Sequence, residues 1–513
     1  MPSPRKREIR AALLGPSAIL LVLCALLRVV SLFRPCLSDD EAIYAVVARE
    51  MLGGRVLYDG VVDHKPPAIY LFYEAAQAIG GPTAGMILLH ALAIVFVWLT
   101  GLLLAGIVRR HAANPDPRAP FMAALLWILF SSFYFDVDSL AVNCELPMML
   151  AVVASVAVFL GARGRLTWLA LAGLLAGVAT LFKYQAGVQL VLFGGAWILA
   201  ERTRPTRVAA GLAALTVSAA APAVLAVGLL HRAGALDAAW FWFRFNFAYV
   251  QTGFASVDVL GRMLVSLGAV VAPGFLLYSL GVWEAIAGIR RGPELRRFAA
   301  TWLILSALAV CVGGRFFGHY FHQIAAPLVL LAAAPAVKLL VRRPTWFAVG
   351  TVVPAATFLV LGILHTSVMK AVGDPDPDYA QVSDWLDAHA PKDQALCVWG
   401  NSPVLYFLAE RPLGCRFVFA NYLTGLSPAT KTQTDPTVDA ARNIVPEAWD
   451  MLVADLAARR PMFIVDASPG DVAHYGKFPP ARFARLQTVL DAEFTPAAEI
   501  AGMRIWRRRL PSP

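Results

Sequence analysis

Three consecutive acids, Asp39, Asp40 and Glu41, are followed further along the chain by Asp63, His64 and Lys65. Later segments add Asp136, Asp138, Asn143 and Glu145, then Lys183, and finally Arg315, His319, Tyr320 and His322 within GGRFFGHYFHQ. Carboxylates and cations gathered on one face are the equipment for group transfer to a hydroxyl. A carboxylate takes the proton of the incoming oxygen, and a cation neutralises the anionic leaving group. For a sugar leaving a phosphate, the two must stand on opposite sides of the sugar. Asp40 and Glu145 are the candidates for the acidic side, and Lys65, Arg315 and His319 for the phosphate side. Arg315 could bind phosphate bidentately, and Lys65 could act as a point charge. The structural alternative for 39–41 is a capped helix start, with Ser38 or Asp39 as the cap and the acids complementing the dipole. That reading suffices locally, but it leaves the polar loops elsewhere unexplained.

Of the 513 residues, 58% are hydrophobic and 15% charged, so the apolar surface needs a bilayer as its solvent. Eleven stretches approach span length, near 11–33, 82–108, 119–135, 146–162, 166–182, 186–200, 208–230, 263–289, 298–313, 323–341 and 345–366. The net charge of +10 could suggest nucleic acid, but the basic residues mark every second loop. They are Arg5/Lys6/Arg7/Arg10, Arg109/Arg110/Arg118, Arg163/Arg165, Arg202/Arg204/Arg207, Arg290/Arg291/Arg296/Arg297 and Arg342/Arg343. This alternation predicts a cytoplasmic N-terminus, no nucleic-acid partner, and everything after about 370 outside the membrane. Arg28 interrupts the first apolar run and no small-residue cleavage site follows it, which argues against a cleaved signal peptide. The acids and lone cations named above all fall on the outer side of this scheme. The first outer loop, 34–81, is longer than a connector needs and carries amphipathic helical patterns at 41–52 and 67–79.

The expected architecture is an α-helical polytopic membrane protein with about eleven transmembrane helices and a small C-terminal α/β extracytoplasmic domain. Residues 1–370 would form the membrane domain and 371–513 the soluble one, with strands at 395–399 and 462–466 and helices at 379–389 and 446–459. Cys397 and Cys415 lie where oxidation is permitted; buried thiols are the first expectation and a disulfide the second. Other conspicuous residues have plainer readings. His90 reads as a packed core histidine, Glu284 as a snorkelling side chain, and Gly173, Gly177 and Gly187 as close helix contacts. The aromatic row Trp240–Phe243, with Phe245 and Phe247, fits either an interfacial belt or a lipid groove, and Arg244 within it could face headgroup phosphates.

The run DDEAIYAVVAREMLGGRVLY followed by DHKPPAIYLFY resembles the first outer loop of the C-type (GT-C) membrane glycosyltransferases. Within them it is similar to the family-39 type, which includes dolichyl-phosphate-mannose protein mannosyltransferases, lipid A aminoarabinose transferases and galacturonosyltransferases of lipopolysaccharide cores. NCELPMML around Glu145, GLLAGVATLFKYQ around Lys183 and GRFFGHYFHQIAAPL around Arg315 extend the likeness over about 1–330. The resemblance implies that Asp40 is the base with Glu41 beside it, that Glu145 is the second catalytic acid, and that Lys65 holds the lipid phosphate. His64, Asp63, Lys183, Arg315, His319 and Tyr320 would complete the substrate site. Two departures bear on the assignment. Asp39 precedes the Asp-Glu pair and shifts the register by one if it is the base, and Asp136 and Asp138 compete with Glu145.

The implied activity moves a single hexosyl or pentosyl unit from a polyprenyl-phosphate donor to an acceptor hydroxyl on the outer face of a bacterial cytoplasmic membrane. The acceptor would be an envelope glycan, a lipid or a protein. Membrane lipids are further partners. No cofactor is obligatory, although the acids could hold a divalent metal. The rival readings are a transporter or flippase of lipid-linked sugar, a ligase of whole oligosaccharides, and a non-catalytic envelope-assembly partner. Transporters tend to carry their polar groups near the midplane on broken helices, whereas here they crowd one interface, which favours an enzyme.

Overall fold

The computed structural model describes residues 4–34, 36–113, 115–132, 139–254, 259–372 and 378–509. Asp136 and Asp138 lie outside the described residues. The chain opens with α1 (Pro4–Arg28), followed by α2 (Asp39–Leu52), whose Ser38 hydroxyl caps the Glu41 amide. Next comes α3 (Ala68–His111), really two helices that meet at Gly81, where φ of 72° just before Pro82 turns the chain out of helical geometry. The amphipathic patterns expected at 41–52 and 67–79 are thus α2 and the first arm of α3.

The bundle continues through α4 (Ala119–Phe130), α5 (Glu145–Gly161), α6 (Leu166–Phe182), α7 (Val188–Glu201), α8 (Pro205–Arg232) and α9 (Leu236–Phe254). It is completed by α10 (Val259–Val271), α11 (Phe275–Arg291), α12 (Glu294–Cys311), α13 (His322–Arg342) and α14 (Pro344–Val372). Over the described residues the expected apolar stretches fall on helices, with one correction: 263–289 is broken around Pro273 into α10 and α11, and 133–135 of the stretch 119–135 lie outside the described residues. Among the described residues 5 helices are long and apolar enough to cross a membrane by themselves, or 6 if α9 and α10, bent by 91°, are one span. Helices α4, α5, α6 and α11 are apolar but shorter. For α5 and α6 the apolar run is cut short where the helix meets a polar cavity, at Glu145 and just before Lys183. The chain is a multi-pass membrane protein. Helix α13 is buried along most of its length, and α6 packs closely on α8 through Gly173 and Gly177, whose missing side chains admit the backbone at Leu215 and Ala219.

The C-terminal segment forms a four-stranded sheet in the order β1-β2-β4-β3, from β1 (Leu396–Trp399), β2 (Phe463–Asp466), β3 (Phe494–Ile500) and β4 (Met503–Arg508). Strands β1 and β2 are parallel and the others antiparallel. Helices α15 (Tyr379–His389), α16 (Pro403–Ala409), α17 (Asn421–Thr424), α18 (Lys431–Thr434), α19 (Pro446–Arg459) and α20 (Ala484–Glu493) surround it. The Cys397 and Cys415 thiols are free, buried and 3.6 Å apart. This segment is fastened to α2 and to the stretch between α2 and α3. Arg49 donates to the Tyr406 and Arg411 carbonyls at 3.0 and 2.9 Å, Arg55 to Leu413 O at 2.9 Å, and the Val62 amide to Arg416 O at 2.9 Å. The loop carrying Asp63, His64 and Lys65 is therefore held between the helix bundle and the sheet segment.

Candidate active site

A cavity of about 1160 Å³ lies where α2, α5, α6, α9, the α12–α13 turn and the C-terminal segment converge. The N-terminus of α5, the C-terminus of α6 and the turn after α12 all open into it.

Two lysine–carboxylate pairs face this space, so the acids and cations are interleaved rather than set on opposite sides of a sugar as the sequence predicts. In the first, Lys65 Nζ lies 3.0 Å from Asp40 Oδ1 and 3.6 Å from Asp63 Oδ2. The Lys65 and Asp40 side chains keep 25% and 30% exposure, so a substrate in the cavity can reach both. Burial alone would raise the Asp40 carboxyl, but the charges of Lys65 and His319 outweigh it and hold the group below its usual range. Asp40 is therefore ionised at neutral pH. Burial would likewise strip Lys65 of its proton, yet Asp40 and Asp63 keep the ammonium above its ordinary range. Tyr44, one helical turn after Asp40, places its ring 4.8 Å from Lys65 Nζ. In the second pair, Lys183 bonds Glu145 Oε1 and rests 3.4 Å from the centre of the Tyr320 ring, while His319 Nε2 lies 3.9 Å from the same carboxylate. Cys144 next to Glu145 donates to the Tyr44 hydroxyl at 3.5 Å, which links the two pairs.

Asp40, Glu145, Lys65, His64, Lys183, Arg315, His319 and Tyr320 all line the cavity, whereas Glu41 and Asp63 do not. Glu41 turns into the bundle and accepts from the Leu37 and Val142 amides at 2.7 and 2.5 Å, with His90 Nε2 3.6 Å away. Burial pushes its carboxyl up to about 7 against these hydrogen bonds. Successive residues on a helix point about 100° apart, and here the step from Asp40 to Glu41 turns the second carboxylate from the cavity into the bundle. Glu41 ties α2 to the segment before α5, and His90, read as a plain core residue, is its buried neighbour.

Asp63 is fully buried beneath the site. It accepts from Tyr70 OH at 2.7 Å and the His64 amide at 2.7 Å, and its Oδ1 is 3.0 Å from His64 Nδ1. Burial opposes its ionisation, but Lys65 and His64 prevail and keep it charged. Its place is to position His64 and Lys65. Arg315, expected to take phosphate, is only 2% exposed and donates to Pro428 O (2.7 Å), Tyr249 O (3.1 Å), Thr252 Oγ1 (2.7 Å) and Ser427 Oγ (2.8 Å). Here it clamps the 427–428 loop onto α9, and a phosphate contact would need these bonds exchanged. Arg244 is exposed away from the cavity, while Phe243, Phe245 and Phe247 line it, so the aromatic row is divided between groove and surface.

Residues the sequence did not single out are Tyr44, Asn246, Tyr249 and Tyr422. Asn246 donates to His64 O at 2.9 Å, and the Tyr422 hydroxyl meets His64 Nδ1 at 3.1 Å. Only the i, i+4 spacing of Asp40 and Tyr44 could have signalled one of them. Among the described residues no three His, Cys, Asp or Glu side chains converge as metal ligands. Asp40 and Glu145 each give one carboxylate oxygen to a lysine.

No family model and no curated protein sequence matches this chain. Solved structures do match. ArnT from Cupriavidus metallidurans, bound to undecaprenyl phosphate, aligns with a TM-score of 0.58 at 15% identity, covering 98% of each chain. The fold is that of the C-type membrane glycosyltransferases. The archaeal oligosaccharyltransferase AglB from Archaeoglobus fulgidus, in complex with an inhibitory peptide and a dolichol-phosphate, gives 0.51 at 13% identity, covering 98% of this chain and 74% of that one. At such identities the likeness is one of fold, and it extends through the C-terminal segment, where the sequence resemblance stopped.

Proposed function

We propose that this chain is a glycosyltransferase that moves a single sugar from a polyprenyl-phosphate donor to an acceptor hydroxyl at the outer face of the cytoplasmic membrane. The N-terminus would be cytoplasmic, residues 1–370 would form the membrane domain that holds the donor, and 371–513 an extracytoplasmic domain closing the cavity. The observation that carries the reading is the pair of lysine–carboxylate couples in one cavity that also has an apolar flank, formed by Phe182, Val188, Val191, Phe247 and Val312. Val191, Phe247 and Val312 are also exposed at the bundle surface, so a prenyl tail could leave sideways into lipid. The fold shared with proteins solved with undecaprenyl phosphate and dolichol-phosphate supports the same donor class.

In this reading the resting ion pairs keep both lysines and their carboxylates charged. When the donor phosphate arrives, Lys65 and Lys183 exchange carboxylate oxygens for phosphate oxygens. Asp40 is freed to accept a hydrogen bond from the acceptor hydroxyl. As that oxygen bonds the anomeric carbon, the carbon–phosphate oxygen bond breaks, the proton passes to Asp40, and the lysines retain the polyprenyl phosphate. Asp63 and Tyr44 orient Lys65, and Tyr320 orients Lys183. The test is transfer of labelled sugar from polyprenyl-phosphate sugars by the purified protein. Asp40→Asn should reduce the rate by about 10²–10⁴-fold, and wild-type protein inert towards every polyprenyl-phosphate sugar offered would defeat the proposal.

A further inference from the structure

The cavity has a second wall whose chemistry the transfer of phosphate-linked sugar does not use. It is contributed by the C-terminal segment and is rich in carboxamides: Asn401, Asn421, Gln433 and Asn443. Their hydrogen bonds leave specific capacity over. Asn421 Nδ2 donates to Asn401 Oδ1 at 3.2 Å, leaving the Asn401 NH₂ to donate elsewhere. Gln433 Oε1 accepts from the Ala429 amide at 2.7 Å, leaving its NH₂, and Asn443 Nδ2 donates to Gly425 O at 3.1 Å, leaving its carbonyl oxygen. Free amide donors and an acceptor in one wall match vicinal hydroxyls, each of which donates and accepts. Among the described residues Arg442 lines the same cavity without an ion-pair or hydrogen-bond partner, in contrast to Lys65, Lys183 and Arg315, which are all engaged. No strand residue lines the cavity, and the outer edge of β1 is taken by the Pro412–Gly414 backbone, so an extended peptide finds no sheet edge there to join.

We propose that this wall is the acceptor subsite and that the acceptor is a saccharide carrying an acidic group, carboxylate or phosphate, which Arg442 reads while Asn401, Gln433 and Asn443 bind its hydroxyls. This deepens the proposed function and rests on it for the word acceptor, but binding at the wall can be measured without turnover. The full-length Asp40→Asn protein in detergent would be titrated, by saturation-transfer NMR, with digalacturonate, glucose 6-phosphate, the neutral disaccharide lactose and a Ser/Thr-containing peptide. The expected result is binding of the acidic saccharides, roughly tenfold weaker binding of lactose, and none of the peptide. Digalacturonate favoured over glucose 6-phosphate would name a carboxylate as the group read, and the reverse a phosphate; either supports the proposal. Arg442→Gln, at an exposed position, should erase the preference for acid while leaving lactose binding unchanged, and Gln433→Ala should weaken all the saccharides together. Equal binding of lactose and the acids, an unaltered preference in Arg442→Gln, or selective peptide binding would overturn it. Wild-type protein that binds acidic saccharide but transfers no sugar would instead count against the catalytic reading alone.

Discussion

Glu145 offers a sharp test of how the cavity tolerates its charges. Its side chain is 1% exposed, and its Oε2 has no hydrogen-bond partner among the described residues. The basic side chains within ion-pair reach there are Lys183, in direct contact, and the His319 imidazole at 3.9 Å. Replacing Lys183 by Met keeps the stem volume but leaves a buried carboxylate nearly alone, which costs about 3–5 kcal/mol when one partner of a buried pair is removed. Replacing Glu145 by Gln as well removes the stranded charge. The Lys183→Met/Glu145→Gln double variant should therefore be more stable than Lys183→Met, with a coupling of about 2 kcal/mol or more. The assay is the midpoint of thermal aggregation in matched detergent for the wild type, both single variants and the double. A double variant no more stable than Lys183→Met would refute the view that the lysine's main static role is to neutralise Glu145. Activity should be lost in all three variants whatever their stability, because a phosphate-binding cation or its partner is gone.

Lys65→Met should shift the acid limb of the transfer rate to higher pH. Burial raises the Asp40 carboxyl and Lys65 is foremost among the charges opposing it, so without the ammonium a base that had been ionised throughout the working range begins to protonate within it; a limb at unchanged pH in a rate–pH profile would contradict this. Gly253→Ala should disrupt the cavity without replacing a charged residue, since an added Cβ would collide with the Gly313 carbonyl; the check is loss of both monodispersity and transfer, compared with Gly228→Ala, where a Cβ meets nothing. Arg49→Ala should loosen the C-terminal segment by removing the bonds to Tyr406 O and Arg411 O, about 1.5–3 kcal/mol for charged donors, read as faster proteolysis around 411–417. Asp63→Asn should cut activity more than it cuts donor binding, because it leaves the cavity lining intact while releasing His64 and Lys65; equal losses would point to direct substrate contact.

The helices were legible because apolar runs of bilayer length and basic loops are strong, redundant signals, and α15 and α19 were legible from their periodicity. Helix α9 was not read as one. WFWFRFNF alternates aromatics with Arg244 and Asn246, a pattern compatible with a belt, and only the cavity and Tyr422 on one side explain why it is helical. Strands β3 and β4 carry Pro496 and the arginines 504, 507 and 508, so their partners rather than their residues make them strands. In the site, the residue types were visible and their directions were not. Sequence adjacency suggested that Glu41 works with Asp40, and helix geometry separates them. A bare arginine in a glycine-rich turn suggested phosphate, and only the fold reveals that Ser427 and Pro428, far along the chain, occupy Arg315. Between Asp39 and Asp40 the ion pair with Lys65 favours Asp40, a choice that spacing alone left open.

The central claim is that Asp40 serves transfer from a polyprenyl-phosphate sugar. Its most direct test is mass spectrometry of polyprenyl-phosphate lipids from cells carrying the wild-type chain or Asp40→Asn at matched expression. The account predicts that one glycosylated polyprenyl phosphate accumulates in the Asp40→Asn cells, naming the donor. Identical lipid profiles, with those lipids within detection range, would contradict it.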